Sequence, residues 1–318
     1  MNRIITTKSI DPHINLATEE LLFEAHKGDI LLFLWQNAHT VVIGRNQNAY
    51  RECRTELLFN EGGKLARRST GGGAVYHDLG NLNFTFIAKA DTYDVARQLK
   101  VIAKAVQGFG IAAEISGRND ITTEGGAKFS GNAFKKDRTT CMHHGTILID
   151  VDMNRLSRYL VPSKEKLASK GVSSVRARVC NLSSLSGDIS VSSMKEALMA
   201  EFQREYGEAL FTDTDELKLL GLDKAFLRHS SNEWCLGGTR PYDIELTGRL
   251  TFGELQLRFT TDQGIITDAQ VFSDAMDETF IQKLPKFFIG NSIHLACDSL
   301  KAAGGDFNEI SSFIADMI

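Results

Sequence analysis

Residues 67–81 of the 318-residue chain read RRSTGGGAVYHDLGN and carry the strongest local signal in the sequence. The three consecutive glycines at 71–73 leave backbone N–H groups uncovered by side chains and permit positive φ, so the loop can wrap an anion such as a phosphate. Arg67 and Arg68 stand directly upstream and supply charge-assisted hydrogen-bond donors. We interpret this stretch as an anion-binding loop, with a solvent-exposed glycine-rich turn as the simpler alternative.

The surroundings of the glycines favour the binding interpretation. Strand-like segments at residues 65–67 and 83–88 flank the loop. Its neutral polar side chains are Ser69, Thr70, His77 and Asn81. No Gly-Lys-Ser/Thr follows the glycines, and their spacing is not that of a dinucleotide-binding turn. The pattern predicts a phosphate site of a different kind.

A lysine further along the chain suggests a second part of the same site. Lys128 follows two glycines and opens an apolar stretch, where a lysine is not the expected residue. A lysine held between a phosphate and a substrate carboxylate would neutralise both anions and stabilise the charge that gathers on the α-phosphate during attack. Asp120 could pair with it and keep it charged and oriented. A solvated hairpin lysine explains the spacing equally well.

Two adjacent histidines, His143 and His144, lie on a predicted strand. Neighbouring strand residues point to opposite faces of the sheet, so the two rings are not expected to bind the same metal ion. No partner with metal-ligand spacing accompanies them, and we expect no metal site built from a protein cluster. One of the two is expected to pack or hydrogen-bond inward.

The segment at residues 163–179 is basic, polar and weakly periodic. Its cations include Lys170, Arg176 and Arg178. One interpretation is a lid loop that closes over nucleotide phosphates. The other is a solvated surface loop.

Composition excludes several classes of protein. The apolar fraction is 42% and the charged fraction 24%, which is ordinary for a globular protein. The net charge of −4 offers no general attraction for nucleic acid or membrane surfaces. Five scattered cysteines without a C-x-x-C pair fit reduced thiols. We find no signal peptide and no apolar run long enough to span a bilayer. The sequence predicts a soluble, cytoplasmic protein.

Strand-rich order in the first part of the chain predicts an α+β main domain with a mixed or antiparallel sheet. Apolar runs at residues 30–35 and 40–43 suggest adjacent buried strands joined by a turn, and residues 212–232 suggest a charged helix. Three short strands and two helical segments follow. We expect a catalytic domain at 1–240 and a small α+β accessory domain at 241–318.

Taken together, these segments resemble the lipoate–protein ligase A family over nearly the whole chain. The matching pieces are Leu34-Trp35 and residues 40–45, 67–81, 117–120, 128–133, 143–148 and 170–176. Residues 234–237 and the tail resemble the family's C-terminal accessory domain. The spread of motifs in the right order makes the resemblance specific.

The resemblance implies a large domain of the biotin/lipoate ligase fold and a two-step reaction. Lipoate, or octanoate, attacks the α-phosphate of ATP to give an acyl-adenylate and pyrophosphate, with Mg²⁺ screening the phosphates. A lysine of an apo lipoyl carrier domain then takes the acyl group as an amide. The implied carriers are those of 2-oxoacid dehydrogenase complexes and/or the glycine cleavage H protein.

The resemblance also implies roles for particular residues. Lys128 matches the family's central lysine, which contacts lipoate and the α-phosphate, and Asp120 matches a further site position. The implied ATP- and adenylate-binding residues are Arg68, Gly73, Ala74, Val75, Tyr76 and Asn81, with Lys128. The implied lipoate-binding residues are Arg68, Ser69, Thr70, His77, His144, Trp35 and Val42, with Lys128.

Three alternatives remain open at this point. An octanoyl- or lipoyl-amidotransferase of the same fold would act without ATP through a cysteine thioester, but no cysteine lies within the glycine-rich stretch. A biotin ligase would need an arginine- and glycine-rich biotinylation loop, which we do not find. A non-catalytic binding module would not need Lys128, Asp120 and the loop together.

Overall fold

The computed structural model describes residues 1–116, 120–161, 179–217, 219–238 and 240–317. The helices are α1 (Pro12–Glu24), α2 (Ala49–Glu52), α3 (Thr55–Asn60), α4 (Val95–Gln107), α5 (Met153–Tyr159), α6 (Val191–Tyr206), α7 (Leu222–His229), α8 (Asn232–Leu236), α9 (Glu278–Lys283), α10 (Pro285–Phe288), α11 (Ile293–Ala303) and α12 (Asp306–Met317). The strands are β1 (Asn2–Thr6), β2 (Ile30–Trp35), β3 (Thr40–Ile43), β4 (Lys64–Arg67), β5 (Val75–His77), β6 (Asn81–Lys89), β7 (Ala113–Ser116), β8 (Asp120–Thr123), β9 (Lys128–Lys136), β10 (Thr140–Leu148), β11 (Ala209–Asp213), β12 (Ile244–Leu250), β13 (Gly253–Asp262) and β14 (Ile265–Ser273).

A mixed eight-stranded sheet forms the centre of the N-terminal domain, in the order β11-β1-β2-β6-β10-β9-β8-β7. Strand β1 is parallel to both β2 and β11, and the remaining pairs are antiparallel. Strand β2 is buried at every position because its ILLFLW run is apolar on both faces. Helices α4 and α6 cover one face, and α1 lies on the other. The predicted α+β class and mixed sheet are confirmed.

A second, three-stranded sheet in the order β4-β3-β5 holds the glycine-rich loop between β4 and β5. The prediction that residues 30–35 and 40–43 form neighbouring strands is wrong, because β2 and β3 belong to different sheets. The connection does not fold back as a hairpin. The Asn37 side chain accepts a hydrogen bond from Asn15 of α1 at 3.0 Å, and the Ala38 N–H donates to the carbonyl of Ile10 at 3.0 Å.

The charged helix predicted at residues 212–232 is also only partly right. Strand β11 pairs with β1 at the edge of the large sheet, and a 3₁₀ turn follows it at Thr214–Glu216. The helix begins only at Leu222, after Gly221, whose φ of 88° suits glycine. In the described parts of the chain, no helix is long and apolar enough to cross a membrane.

The C-terminal domain contains an antiparallel sheet, β12-β13-β14, packed against helices α9 to α12 around its own apolar core. Its three predicted strands are confirmed. The first of the two helical segments predicted after these strands consists of two helices, α9 and α10, because Pro285 begins a new one. Helix α12 was not predicted. The division after residue 240 stays a prediction.

The two domains join through backbone hydrogen bonds at the glycine-rich loop and at the segment that follows β3. The Gly72 N–H donates to the Ala275 carbonyl at 3.1 Å, and the Ser273 N–H donates to the Asn46 carbonyl at 2.9 Å. A Cβ added at Gly71 would lie 2.3 Å from the Ala275 oxygen, so glycine is needed for this close approach. The C-terminal domain therefore rests directly on the loop that the sequence marked out.

Candidate active site

A pocket of about 170 Å³ lies between the two sheets, under the glycine-rich loop. We call it the central pocket. Its lining residues are Leu16, Trp35, Val42, Arg68, Gly72, Gly73, Ala74, Val75, His77, Asn83, Lys128, Gly131, Asn132, Ala133, His144, Gly145, Thr146 and Met276. Apolar side chains form much of one wall, and polar groups stand at several points. Met276 is the contribution of the C-terminal domain.

Arg68 shapes the glycine-rich loop from inside. Its Nη2 donates to the carbonyls of Gly71 at 2.7 Å and Gly73 at 2.8 Å, and its Nε donates to Thr70 Oγ1 at 3.0 Å. Burial lowers the pKa of Arg68 to about 10, against the opposing charge of Glu19, so the guanidinium remains charged near neutrality. Arg68 lines the pocket as expected, but most of its donors hold the loop in its curled shape.

Arg67 points away from the central pocket. Its guanidinium donates to the carbonyls of Gln47 and Trp234, each at 2.7 Å, and to the carbonyl of Cys235 at 3.1 Å. These bonds tie α8 to the segment that follows β3. The two neighbouring arginines therefore have different tasks, because adjacent side chains at the end of a strand face opposite ways.

Lys128 and Asp120 form the ion pair that the sequence suggested. Lys128 Nζ lies 2.7 Å from Asp120 Oδ1, and both side chains are about one-third exposed, at 35% and 36%. The lysine is the first residue of β9 and folds over Gly131, where an added Cβ would lie 3.0 Å from Nζ. A cation thus stands at the rim of the central pocket, accessible to an anionic ligand.

A buried hydrogen-bonded network forms one side of the central pocket, and sequence reasoning missed most of it. Glu19 Oε1 lies 2.8 Å from His144 Nδ1 and accepts from the Thr85 hydroxyl at 2.6 Å. His144 Nε2 lies 2.8 Å from Thr70 Oγ1. Burial works to raise the pKa of Glu19, but the charge and hydrogen bonds of His144 and Thr85 outweigh it and hold that pKa below its usual value.

The predicted site residues divide into two groups by position. Those that line the central pocket are Trp35, Val42, Arg68, Gly73, Ala74, Val75, His77, Lys128 and His144. Those outside its lining are Ser69, Thr70, Tyr76, Asn81 and Asp120. Tyr76 lies on the opposite face of β5 from its neighbours and packs against Tyr159. The proposed lid residues Lys170, Arg176 and Arg178 fall outside the described residues.

The two adjacent histidines separate as strand geometry predicts. His143 is enclosed by Phe84, Phe86 and Phe134, with Gln98 Oε1 at 3.0 Å from its Nδ1. His144 faces the central pocket instead. Across the described ranges, no group of three or more His, Cys, Asp or Glu side chains is arranged to hold a metal ion.

Comparison with known proteins identifies the family. The lipoyl protein ligase A/B catalytic domain matches residues 11–203, and the bacterial lipoate protein ligase C-terminus matches residues 239–314. The crystal structure of P. falciparum LipL1 in complex with lipoate superimposes with a TM-score of 0.85 and 31% identity over 99% of both chains.

Two further solved structures are similar to the larger part of the chain. A bipartite lipoate protein ligase from Thermoplasma acidophilum, described with its E2 lipoyl domain, gives a TM-score of 0.66 and 26% identity, covering 76% of this chain and 99% of that one. Lipoate-protein ligase A bound with ATP gives 0.62 and 27%, covering 74% and 98%. Fold and site thus define a ligase, built on a two-domain plan. The chain belongs to the lipoate–protein ligase family.

Proposed function

We propose that this protein is an ATP-dependent lipoate–protein ligase. In the first step the carboxylate of lipoate attacks the α-phosphate of ATP, forming lipoyl-adenylate and releasing pyrophosphate. In the second step the ε-amine of a carrier lysine attacks the acyl carbon, and AMP leaves as the amide forms. The observation that carries the proposal is the Lys128–Asp120 pair, 2.7 Å apart, at the rim of an apolar pocket beside a glycine-rich loop.

The chemistry of the central pocket supports the first step. Lys128 can donate to a carboxylate and to an α-phosphate oxygen at once, and so stabilise the charge that develops between them. Asp120 pairs with the ammonium at 2.7 Å and holds it at the rim. The apolar wall of Leu16, Trp35 and Val42 suits an alkyl chain.

The cysteine-dependent alternative has weaker support. Among the described residues that line the central pocket there is no cysteine. Burial raises the pKa of the Cys53 thiol to about 12 and that of Cys235 to about 11, so neither is a ready thiolate. Burial also raises the pKa values of Cys141, Cys180 and Cys297. A thioester route would require a nucleophile that none of these environments activates.

The remaining parts of the proposal concern partners and location. We propose that Mg²⁺ arrives with the phosphates of ATP, since the carboxylate of Asp120 at this site is already engaged by Lys128. We propose apo lipoyl domains of 2-oxoacid dehydrogenase complexes, and/or the H protein of glycine cleavage, as carriers. The pairing of a similar archaeal ligase with an E2 lipoyl domain supports the former. We place the reaction in the cytoplasm and the domain division after residue 240.

Replacing Lys128 tests the proposal. Lys128→Ala should lower pyrophosphate release from ATP and lipoate by roughly 100-fold or more, because it removes the cation that stabilises the developing charge. Lys136→Ala is the matched control, since Lys136 is the exposed last residue of the same strand. Near-normal turnover by Lys128→Ala, with an unchanged circular dichroism spectrum, would contradict the assignment.

A second assay separates the ligase from the amidotransferase. The wild-type protein is incubated with lipoate and a panel of apo lipoyl domains and H protein, with and without MgATP. We expect the carrier mass to increase by one lipoyl group only when MgATP is present. Acyl transfer from an acylated carrier without ATP, and no pyrophosphate release, would favour the amidotransferase instead.

A further inference from the structure

A buried histidine in the central pocket presents an unused hydrogen-bond donor. Asn37 accepts from Asn15 Nδ2 through its oxygen at 3.0 Å, so its amide nitrogen faces His77 Nδ1 at 3.1 Å. His77 Nδ1 is therefore the acceptor, and the ring proton is on Nε2. Burial lowers the pKa of His77 to about 3, with Arg68 and His144 acting in the same direction, so the ring is neutral. Its Nε2 has no partner among the described residues.

A buried asparagine presents a second unused donor in the same pocket. Asn83 Oδ1 accepts from Asn81 Nδ2 at 3.0 Å, and Asn83 Nδ2 is left with no partner in the described structure. Asn83 is 1% exposed and His77 is 3% exposed, and both line the central pocket. A buried donor without a partner costs free energy, so two in one pocket point to a ligand that accepts hydrogen bonds.

Both donors neighbour Trp35, on the side of the central pocket away from the Lys128 strand. Trp35 pairs with Asn83 across β2 and β6, and its ring centroid lies 6.4 Å from that of His77. Lys128 is on β9, and β10 separates β9 from β6. The distance from the Lys128 strand to the Asn83 strand is thus two strand spacings, about 10 Å. A ligand with its anionic group at Lys128 would bring the far end of its chain to the donors.

We infer that His77 and Asn83 form a specificity site that recognises the sulfur-bearing ring of lipoate and discriminates against octanoate. This inference rests on the proposed function, which places the substrate carboxylate at Lys128. Lipoate carries sulfur at C6 and C8, at the end of the chain away from the carboxylate. Divalent sulfur is a weak hydrogen-bond acceptor, and the corresponding carbons of octanoate accept nothing.

The discrimination follows from the free-energy cost of leaving the two buried N–H donors without an acceptor. In the empty pocket the donors can bind water, but an acyl chain that fills the pocket displaces it. Lipoate replaces that water with acceptors, whereas octanoate leaves both N–H groups against methylene groups. A site with buried polar groups rejects an analogue that cannot pair them, more strongly than an apolar pocket rejects a small change in size.

The test compares equilibrium affinities for lipoate and octanoate by calorimetry, using the full chain. The wild-type protein should bind lipoate at least ~10-fold more tightly than octanoate. Asn83→Leu and His77→Phe should each reduce the ratio of lipoate to octanoate affinity roughly 3- to 10-fold, because each removes one donor that octanoate leaves unpaired. Asn154→Leu is the control for Asn83→Leu: Asn154 is exposed on α5 and does not line the pocket, so the ratio should not change.

The outcomes are distinguishable from those of the ligase assay. A ratio of two affinities measured on one folded variant cancels any general weakening of the pocket, and if one variant fails to fold the other still decides. A wild-type ratio near one, or a ratio unchanged in the variants, overturns the specificity site even if pyrophosphate release is normal. A ratio that collapses as expected supports it, even if no adenylate forms and the proposed ATP-dependent reaction fails.

Discussion

At the scale of single residues, Glu19 contacts several groups of the site, although nothing in its sequence position indicated this. Its carboxylate is 2% exposed and bonds to His144 and Thr85. It is also the nearby negative charge that favours the charged form of Arg68. Without this buried carboxylate the His144 ring would lose a hydrogen-bond partner and the desolvated guanidinium of Arg68 would lose a nearby counter-charge.

Removing Glu19 should therefore destabilise the fold. We expect Glu19→Ala to lower the free energy of unfolding by about 3 kcal/mol, since it leaves buried polar and cationic partners uncompensated. Urea denaturation at neutral pH measures the change. Glu24→Ala, at an exposed position on the same helix, should change it by less than about 0.5 kcal/mol. Equal effects of the two substitutions would count against the network.

Local chemistry in the sequence revealed part of the site but not its long-range partners. The Lys128–Asp120 pair was predicted because Lys128 follows two glycines at the start of an apolar stretch and Asp120 is a carboxylate eight residues before it. Glu19 lies 125 positions from His144, and only the fold brings them together. The available signal was a carboxylate on the apolar face of α1, among Leu16, Leu22 and other buried residues. Likewise, the direction of the Tyr76 side chain depends on the strand that holds it, which the sequence did not predict.

At the scale of elements, His143 joins two strands and a helix. It lies on β10, its Nε2 is 2.8 Å from Asn132 Oδ1 of β9, and its Nδ1 is 3.0 Å from Gln98 Oε1 of α4. Burial lowers the pKa of His143 to about 3, and the charge of His144 acts in the same direction. The ring is therefore neutral, with one nitrogen donating and the other accepting. The Gln98 amide then presents its Nε2, which has no other partner in the described structure, as the donor to Nδ1.

The titration of His143 gives the domain an acid sensitivity. The folded-state pKa is below the unfolded value of 6.5, so as the pH falls below 6.5 the unfolded state gains protons first, and stability is lost down to about pH 3. By pH 5 the loss should reach about 2 kcal/mol. His143→Gln should reduce the difference in unfolding free energy between pH 7 and pH 5, measured with urea. His294→Gln, at an exposed position, is the control. Identical pH slopes for wild type and His143→Gln would refute this.

Element types were more predictable than their neighbours. Apolar runs and helical periodicity located most strands and helices, because the pattern of burial repeats along each element. They did not assign β2 and β3 to different sheets, since the sequence of a strand that is apolar on both faces does not indicate which strand it pairs with. Strand β11 was missed because it is a partly exposed edge strand, with Leu210 at 52% exposure.

At the scale of the whole molecule, the glycine-rich loop is a place where the two domains are in close backbone contact. The loop approaches the C-terminal domain so closely that a Cβ at Gly71 would lie 2.5 Å from the Met276 oxygen. By contrast, a Cβ at Gly73 would meet nothing within 4 Å. Gly71 thus leaves no room for a side chain, whereas Gly73 of the same loop does.

The difference between the two glycines provides a matched test of the contact. Gly71→Ala should push the domains apart, giving a larger radius of gyration by small-angle X-ray scattering and faster proteolysis between the domains. Gly73→Ala should leave both measurements at wild-type values, because its added methyl group meets only open space. If the two variants behave alike, the close approach at Gly71 does not hold the domains together.

Met276 belongs to one domain but borders a pocket built mostly by the other. Any acid that touches it in the docked state therefore gains affinity from docking, and by thermodynamic reciprocity it strengthens docking by the same factor. Mutations far from the pocket that loosen the joint would then weaken acid binding without touching a lining residue. Selection on substrate affinity can thus act on residues at the contact between the domains. A measured binding constant for the acid depends on that contact as well as on the residues that line the pocket.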